Sequence, residues 1–211
     1  MKPAVLEQTV YVIDDDEAVC DSLGMFLSAA GFAVRTYADP LHFLAEPHQR
    51  FTGCLLLDLR LPALSGLHLQ QALSAVGSTL PIIFITGHGD ISSAVQAMKA
   101  GAFEFLEKPF SHTSLLEHIR RAFTLDSQRR QTLNLQHQVR EWRATLTPRE
   151  NEVLERIIAG KASKVAALEL GLSQRTVEIY RANIMRKMHS KSVAQLVRML
   201  SDTSIDPEGA P

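Results

Sequence analysis

Residues 54–62 read C-L-L-L-D-L-R-L-P, a stretch that sets one carboxylate at the end of an apolar run. Cys54 and three leucines lead directly to Asp58. Such a run is typical of a central strand in a sheet that is covered on both faces. A buried charge without a partner is costly, so Asp58 must be paired, must reach solvent at the strand end, or must have a function.

Similar short apolar runs recur over the first part of the chain and alternate with amphipathic stretches. The predicted strands are Thr9–Ile13, Ala33–Tyr37, Gly53–Leu57, Leu80–Ile85 and Phe103–Leu106. The predicted helices cover about 17–30, 40–47, 66–76, 90–100 and 112–124. Strands that alternate with helices predict a doubly wound α/β sheet with parallel strands, because each crossover is helical.

Functional groups in such a sheet gather at the carboxyl ends of the strands. The residues found there are Asp14, Asp15, Asp16, Asp58, Thr86, His88 and Lys108. Carboxylates so close together repel each other, and a divalent cation with oxygen ligands, Mg²⁺ or Mn²⁺, relieves that repulsion. An alternative is that the three consecutive aspartates only cap a helix and that Asp58 is a loop carboxylate. That alternative leaves Thr86 and Lys108 unexplained, although Asp16 itself fits a helix start.

The composition is that of a globular protein with two differently charged parts. The chain has 211 residues, 45% of them hydrophobic and 21% charged, and no apolar run approaches the ~20 residues that span a bilayer. The N-terminus lacks the apolar stretch of a signal peptide, so we expect a cytoplasmic protein in which Cys20 and Cys54 are reduced, buried thiols. Residues 1–124 hold 8 Lys and Arg against 13 Asp and Glu, and residues 125–211 hold 14 against 10. This asymmetry favours two domains with different partners.

The second part of the chain has the pattern of a helix-turn-helix domain. Thr147-Pro148-Arg149-Glu150 has the features of a helix start with a capping box. A short helix at Ser163–Leu170, a turn at Gly171-Leu172-Ser173 and a longer helix to Met188 follow, with a last helix near 192–200. Residues 145–200 hold 10 Lys and Arg against 5 Asp and Glu, which favours DNA contact over an ordinary solvated helix face.

Between the two parts, residues 111–143 can continue the fifth helix. Seven residues fall at heptad spacing: Leu125, Gln128, Thr132, Leu135, Val139, Trp142 and Leu146. A coiled coil is one alternative, although two of these residues are polar and the heptads are few. The other is that Trp142 and Leu146 pack on the domain that follows.

The first part resembles the receiver domains of bacterial two-component response regulators. The resemblance rests on the motifs Asp14-Asp15, Asp58 with Leu61-Pro62 and Ser65-Gly66, Thr86, Ala100-Gly101-Ala102 and Lys108-Pro109-Phe110. It implies a flavodoxin-like sheet of strand order 2-1-3-4-5, with Asp58 as the phosphoacceptor. It also implies that Mg²⁺ is bound by Asp14, Asp15, Asp58 and the backbone carbonyl of Arg60.

The same resemblance gives roles to three further residues and leaves two open. Thr86 and Lys108 would bind phosphoryl oxygens, and the Lys108–Pro109 peptide would be cis. Phe105 would be a switch residue that moves when Thr86 approaches the phosphoryl group, or simply a core residue of an edge strand. Arg60 and His88 occupy positions that tune the lifetime of the phosphoryl group in this family, in a direction that residue type alone does not give.

The second part resembles the LuxR/FixJ type of DNA-binding domain, a four-helix all-α fold, over residues 146–200. The resemblance implies phosphate contacts from Lys164, Thr176, Arg181 and Lys187. It places four residues in the DNA groove, namely Gln174, Arg175, Glu178 and Ile179, and it places Leu172, Val177 and Ile184 in the core. The whole chain is therefore similar to response regulators of the NarL/FixJ subfamily.

These observations predict four segments: a receiver domain at 1–124, a helical linker at 125–144, a helix-turn-helix domain at 145–203 and a flexible tail at 204–211. The predicted function is phosphorylation-dependent regulation of transcription, with no enzymatic activity beyond phosphoryl transfer to the chain itself and slow dephosphorylation. The expected partners are a sensor histidine kinase, promoter DNA, a second copy of the phosphorylated chain and RNA polymerase, with no membrane.

Two other classes of protein also use a doubly wound sheet. A phosphatase with an aspartyl nucleophile needs a second acid two residues after the nucleophile, where this chain has Arg60. A flavin- or nucleotide-binding domain needs a glycine-rich loop after the first strand, and the sequence has aspartates there. Neither class of protein explains the presence of the helix-turn-helix pattern at residues 145–200.

Overall fold

The computed structural model of the protein describes residues 8–47, 51–62, 64–87 and 91–203, without the side chains of residues 202 and 203. His88 and the predicted tail at 204–211 lie outside the described residues. The strands are β1 (Thr9–Ile13), β2 (Ala33–Tyr37), β3 (Gly53–Asp58), β4 (Ile82–Thr86) and β5 (Glu104–Glu107). The helices are α1 (Glu17–Ala29), α2 (Pro40–Leu44), α3 (Gly66–Ala75), α4 (Ile91–Lys99), α5 (His112–Ala144), α6 (Pro148–Ile158), α7 (Ser163–Leu170), α8 (Gln174–Lys187) and α9 (Val193–Thr203).

The five strands form one parallel sheet of order β2-β1-β3-β4-β5, which confirms the predicted fold. β4 begins two residues later than predicted, because Pro81 lacks the N–H that a ladder position requires. Helix α2 ends at Leu44, earlier than the predicted stretch 40–47.

Helices cover both faces of the sheet, and the residues of β3 alternate between them. Leu55 and Leu57 belong to one buried apolar cluster, and Cys54 and Leu56 belong to the other. All four side chains are 0–1% exposed, as the uninterrupted apolar run predicts. Cys20 and Cys54 are both buried, as predicted.

The chain divides into two compact units, residues 1–130 and 131–211. In the first unit, α5 continues beyond the predicted domain end at residue 124 and remains bonded to the sheet. The carboxylate of Asp126 accepts a hydrogen bond from the Gly53 N–H at 3.0 Å and lies 3.5 Å from Nε of Arg130. Burial raises the pKa of Asp126, and the bonds from Gly53 and Arg130 only partly oppose that rise. The boundaries at 124 and 145 stay predictions, but residues 126–130 make these contacts within the first unit.

The second unit is all-helical, with one apolar core to which α5 contributes its last turns. Val139 and Leu146 are buried in this core, and Trp142 packs against it. Leu135 is exposed. The later heptad positions therefore serve the core of the second unit, which is the packing alternative rather than a coiled-coil seam.

Local sequence accounts for the helix boundaries of the second unit. Thr147 and Glu150 form the predicted capping box at the start of α6, with Pro148 in the first turn. Gly171, with φ of 66°, ends α7, and the side chain of Ser173 caps α8 by accepting a hydrogen bond from Thr176 N. The short turn between α7 and α8 gives the predicted helix-turn-helix. In the described part of the chain, no helix combines the length and the apolar character needed to cross a membrane.

Candidate functional site

Two carboxylates meet at the carboxyl edge of the sheet, because β1 and β3 are adjacent and parallel. Asp14 follows β1 and is buried, and its Oδ1 accepts a hydrogen bond from the Asp16 N–H at 3.0 Å. Asp58 is the last residue of β3, and its Oδ1 accepts from the Arg60 N–H at 2.9 Å. In each case a backbone N–H orients one carboxylate oxygen and leaves the other for a different partner.

That partner is the ammonium group of Lys108, which follows β5. Its Nζ donates to Oδ2 of Asp14 at 2.8 Å and to Oδ2 of Asp58 at 3.2 Å. Partial burial works to lower the pKa of Lys108, but the hydrogen bonds and charges of the two aspartates outweigh it and raise the pKa above its ordinary value. Lys108 is therefore a fixed cation between two fixed anions, and the peptide that joins it to Pro109 is cis, as predicted.

Thr86 and Phe105 lie on neighbouring strands beside this edge. Thr86 ends β4 and is 1% exposed, and its carbonyl accepts a hydrogen bond from the Lys108 N–H at 2.8 Å. Phe105 is partly buried, packs against the core and lies with its ring centroid 6.3 Å from that of Phe84. The packing fits the core alternative for Phe105, and its switch role stays a prediction.

The other predicted residues of this site are less fully defined. Asp15 is exposed beside Asp14 in the sequence. Asp16 caps α1 through its side chain, as the sequence suggested. Among the described residues, no group of three or more His, Cys, Asp or Glu side chains is gathered like a metal site. The donor set of carboxylates and a carbonyl nevertheless has the all-oxygen chemistry that Mg²⁺ prefers.

One residue that shapes this site received no role from sequence reasoning. Gly66 begins α3, and its N–H donates to the carbonyl of Leu59 at 3.0 Å. A Cβ at this position would lie 2.4 Å from the Asp58 carbonyl oxygen and 2.9 Å from Cε1 of Phe84. Only glycine lets α3 approach the phosphoacceptor candidate so closely. The sequence contains this glycine in the motif Ser65-Gly66, but the need for glycine becomes apparent only from the packing of α3 against Asp58.

The second candidate surface is the exposed face of α8 with the start of α7. Four α8 residues predicted to enter the groove are exposed: Gln174, Arg175, Glu178 and Ile179. Gln174 Nε2 donates to Oε1 of Glu178 at 3.0 Å, so these two side chains are already oriented in the free protein. Lys164 on α7 is also exposed, whereas Thr176 and Arg181 are partly buried. Val177 and Ile184 are fully buried and Leu172 packs against the core, as predicted.

Lys187, which is also predicted to contact phosphate, already has bonding partners far from it in the sequence. Its Nζ donates to Oε2 of Glu150 at 2.7 Å and to the carbonyl of Thr145 at 3.1 Å. The hydrogen bond from Lys187 and the one from the Thr147 N–H hold the pKa of Glu150 below its ordinary value. The phosphate contact of Lys187 stays a prediction, and the structure gives this ammonium a structural role that sequence reasoning missed.

Comparisons with known proteins agree with this two-part organisation. Residues 10–120 match the response regulator receiver domain, and residues 144–200 match the luxR family of bacterial regulatory proteins. The chain is 41% identical to the response regulator protein TmoT of Ectopseudomonas mendocina, over 92% of this chain and 88% of that protein. It is 43% identical to the transcriptional regulatory protein FixJ of Bradyrhizobium diazoefficiens, over 90% of this chain and 93% of FixJ.

Among solved structures, the response regulator StyR superposes with a TM-score of 0.82 at 43% identity, covering 92% of this chain and 98% of StyR. The site at the sheet edge and the helix-turn-helix thus stand in a chain that matches such regulators over most of its length. The chain belongs to the response regulators of two-component systems that join a receiver domain to a luxR-family DNA-binding domain, and it is a phosphorylation-dependent regulator of transcription.

Proposed function

We propose that Asp58 is the residue that accepts the phosphoryl group, and that a sensor histidine kinase supplies it. One oxygen of the Asp58 carboxylate forms a bond to phosphorus while the bond from phosphorus to the kinase histidine breaks. The product is an acyl phosphate on Asp58, and the histidine becomes neutral on release. The observation that carries this proposal is the ammonium group of Lys108, which bonds to the carboxylates of both Asp14 and Asp58.

Lys108 has two tasks in this reaction. Before transfer it keeps the two carboxylates from repelling each other, and during transfer it donates to an oxygen of the phosphoryl group. The side chain of Thr86, at the end of the neighbouring strand, donates to another phosphoryl oxygen. Because the strands fix all these groups, positioning and electrostatics supply most of the rate.

The residues that would hold Mg²⁺ or Mn²⁺ are Asp14, Asp15, Asp58 and the backbone carbonyl of Arg60. When bound, the cation neutralises the negative charge of the carboxylates and of the incoming phosphoryl group. The supporting observation is the excess of carboxylate over cationic groups at this edge, where one ammonium contacts two buried or nearly buried acids. Hydrolysis of the acyl phosphate then returns the chain slowly to its starting state.

Phosphorylation promotes pairing of two receivers through α4 and β5. The support is an apolar stripe on α4, where Ile91, Val95 and Met98 recur at helical spacing and are all exposed. An exposed apolar stripe of this kind favours contact with a protein surface. Movement of Thr86 toward the phosphoryl group, followed by inward movement of Phe105, connects the site to this face.

The paired chains bind promoter DNA through α8. Lys164, Thr176 and Arg181 contact phosphates, while Arg175 and Glu178 near the start of α8 contact base edges, with Gln174 and Ile179 beside them. This assignment is supported by the exposure of the groove residues. The protein acts in the cytoplasm, where RNA polymerase is a further partner that the function allows.

The test is labelling with a small acyl phosphate donor in the presence of Mg²⁺. We expect one acid-stable, base-labile phosphoryl group per chain, and none on Asp58→Asn, because an amide cannot form the mixed anhydride. The matched control is Asp21→Asn, which removes an exposed carboxylate from α1 and should leave labelling unchanged. Full labelling of Asp58→Asn would place the phosphoryl group on another residue and reject the proposal.

A further inference from the structure

The recognition helix α8 ends differently from five other helices of the chain. Helices α1, α3, α4, α6 and α7 are each followed by a glycine in the left-handed region, namely Gly31, Gly77, Gly101, Gly160 and Gly171, with φ from 66° to 88°. Helix α8 is followed by His189, with φ of 50°. In the part of the chain that the structure describes, His189 is the only residue other than glycine with a positive φ.

The end of α8 is nevertheless the same hydrogen-bonded motif. The His189 N–H donates to the Arg186 carbonyl at 3.2 Å, and the Ser190 N–H donates to the Met185 carbonyl at 2.9 Å. This pair of bonds is the Schellman arrangement, in which glycine is the usual residue because a Cβ is disfavoured at left-handed φ. A histidine here therefore strains the backbone at a position where glycine would not.

At the other five helix ends, glycine is required by the left-handed backbone conformation and not by close packing. A Cβ built on any of the five glycines would meet no atom within 4 Å. Such space offers no contact that would offset the strain of a side chain. Strain that persists in a folded protein points to a use for the residue, so the contacts of the His189 side chain are informative.

The His189 ring lies against Trp142, with centroids 4.7 Å apart and planes 45° apart. Trp142 belongs to the end of α5 and packs against the core of the second unit. The neighbouring segment also holds Lys187, whose ammonium bonds to the Thr145 carbonyl and to Glu150. The last turn of α8 is thus fixed by a ring contact in addition to polar bonds.

We propose that His189 is a positioning residue for DNA binding, whose ring on Trp142 holds the C-terminal turn of α8 in place. Helix α8 has 14 residues and is about 21 Å long. A small tilt about its C-terminal end displaces Gln174 and Arg175, at the opposite end, by the largest amount. This inference rests on the proposed function, in which those residues enter the groove, so that a contact at the opposite end of α8 controls how they meet the bases.

The experiment uses the full-length chain with two substitutions that separate ring from backbone. His189→Gly removes the ring and lets the backbone adopt its φ without strain, whereas His189→Phe keeps an aromatic ring on Trp142. The control is His137→Ala, which removes an exposed histidine from α5. Binding is titrated on a duplex enriched from random sequence by the wild-type protein, in the buffer used for the enrichment, and on unselected duplex.

We expect His189→Gly to weaken binding to the enriched duplex about two- to tenfold, the range of a lost aromatic pair. His189→Phe and His137→Ala should remain within about twofold of the wild type. The thermal midpoint of His189→Gly should not fall, because glycine removes backbone strain. Emission from Trp142, the one tryptophan of the chain, should change in His189→Gly without DNA, since its ring partner is gone.

Four results would overturn the proposal. Wild-type affinity in His189→Gly would show that the ring has no role in binding. Equal loss in the glycine and phenylalanine variants would show that the imidazole itself contacts DNA. A fall in affinity with a matching fall in the thermal midpoint would show that the ring only stabilises the fold. Unchanged Trp142 emission would show that the two rings are not in contact in solution.

Discussion

The two functional surfaces of this protein arrange charged residues in opposite ways. At the sheet edge, Asp14, Asp58 and Lys108 lie at the ends of three different strands and are largely buried, and the two carboxylates share the Lys108 ammonium group. On the DNA-binding unit, the candidate contacts are spread along one exposed helix face and its neighbour. A converging site acts as one unit, so the loss of one group disables the whole. A distributed surface loses affinity in small and nearly additive steps.

This difference also shows in where the partners lie: Lys108 bonds to carboxylates 94 and 50 positions away, whereas Gln174 and Thr176 on α8 bond to side chains within four residues. A phosphoryl group arrives with its own charge and displaces existing bonds, so its site can be prepared with opposite charges held in place. DNA presents a regular row of phosphates, and exposed cations meet it one by one. Lys187 is the exception, since it lies on the DNA-binding unit but is bonded as firmly as a residue of the sheet edge.

The largest effect should come from Lys108→Met, which keeps most of the length of the side chain and removes its charge. Without the ammonium, Asp14 and Asp58 repel each other and the transferring phosphoryl group loses a donor. We expect phosphorylation by an acyl phosphate donor to slow by about 10²–10³-fold, the usual result of removing one such donor. The control Lys99→Met removes an exposed ammonium from the end of α4 and should react at the wild-type rate. A normal rate in Lys108→Met would mean that the sheet edge is not a cooperative site.

A smaller effect is expected from the packing that brings α3 against Asp58. In Gly66→Ala the new Cβ would meet the Asp58 carbonyl oxygen at 2.4 Å, and backbone cannot move aside cheaply. We expect the free energy of unfolding of the first unit to fall by about 1–3 kcal/mol. Calorimetry of the full chain, in which the transition of the first unit is identified by its response to an acyl phosphate donor, measures this change.

A second glycine of the same unit provides the matched control. Gly24 lies within α1, and a Cβ there would be 3.6 Å from Cγ2 of Thr36, an ordinary contact. Gly24→Ala should therefore stabilise the unit by about 0.5–1 kcal/mol, because alanine favours the helix. Equal stability of the two variants would contradict the close approach of α3 to Asp58.

The residues of the sheet edge were predictable because the residues at the carboxyl ends of parallel strands gather at one edge of the sheet. Asp14, Asp58, Thr86 and Lys108 could therefore be assigned to that edge without knowing any distance. The fold and the helix-turn-helix followed in the same way from periodicity and capping residues. Spacing alone could not decide between a coiled coil and the core for Trp142 and Leu146, because both use the same face of a helix.

Contacts between distant segments escaped sequence reasoning. The bond from Gly53 to Asp126 joins residues 73 positions apart, and the bond from Lys187 to Glu150 joins residues 37 apart. No periodicity connects such pairs, and each residue type has an ordinary exposed alternative. A receiver fragment that ends at residue 124 would omit Asp126 and leave the Gly53 N–H without this partner.

The smallest effect is expected from Lys187→Met compared with Lys164→Met. This comparison tests whether Lys187 is the exception among the cations of the DNA-binding unit. Lys187→Met leaves buried Glu150 without its cation and should lower the free energy of unfolding of the second unit by about 1–2 kcal/mol at neutral pH. Lys164 is exposed, so Lys164→Met should change that free energy by less than about 0.5 kcal/mol. On DNA the order should reverse, with Lys164→Met reducing the dependence of log affinity on log salt by about one unit.

The dependence of stability on pH should also distinguish Lys187 from Lys164. The folded-state pKa of Glu150 lies below its ordinary value of 4.5, chiefly because Lys187 donates to it. Stability from this pair is therefore fully present above pH 4.5 and is lost as the pH falls from there through the folded-state pKa. Lys187→Met should flatten this part of the stability profile, and Lys164→Met should not. A different result would contradict this assignment: Lys187→Met lowers the salt dependence by about one unit without a loss of stability. In that case the Lys187 ammonium of the wild type leaves Glu150 to bind phosphate, and Lys187 belongs to the distributed DNA-binding surface like Lys164.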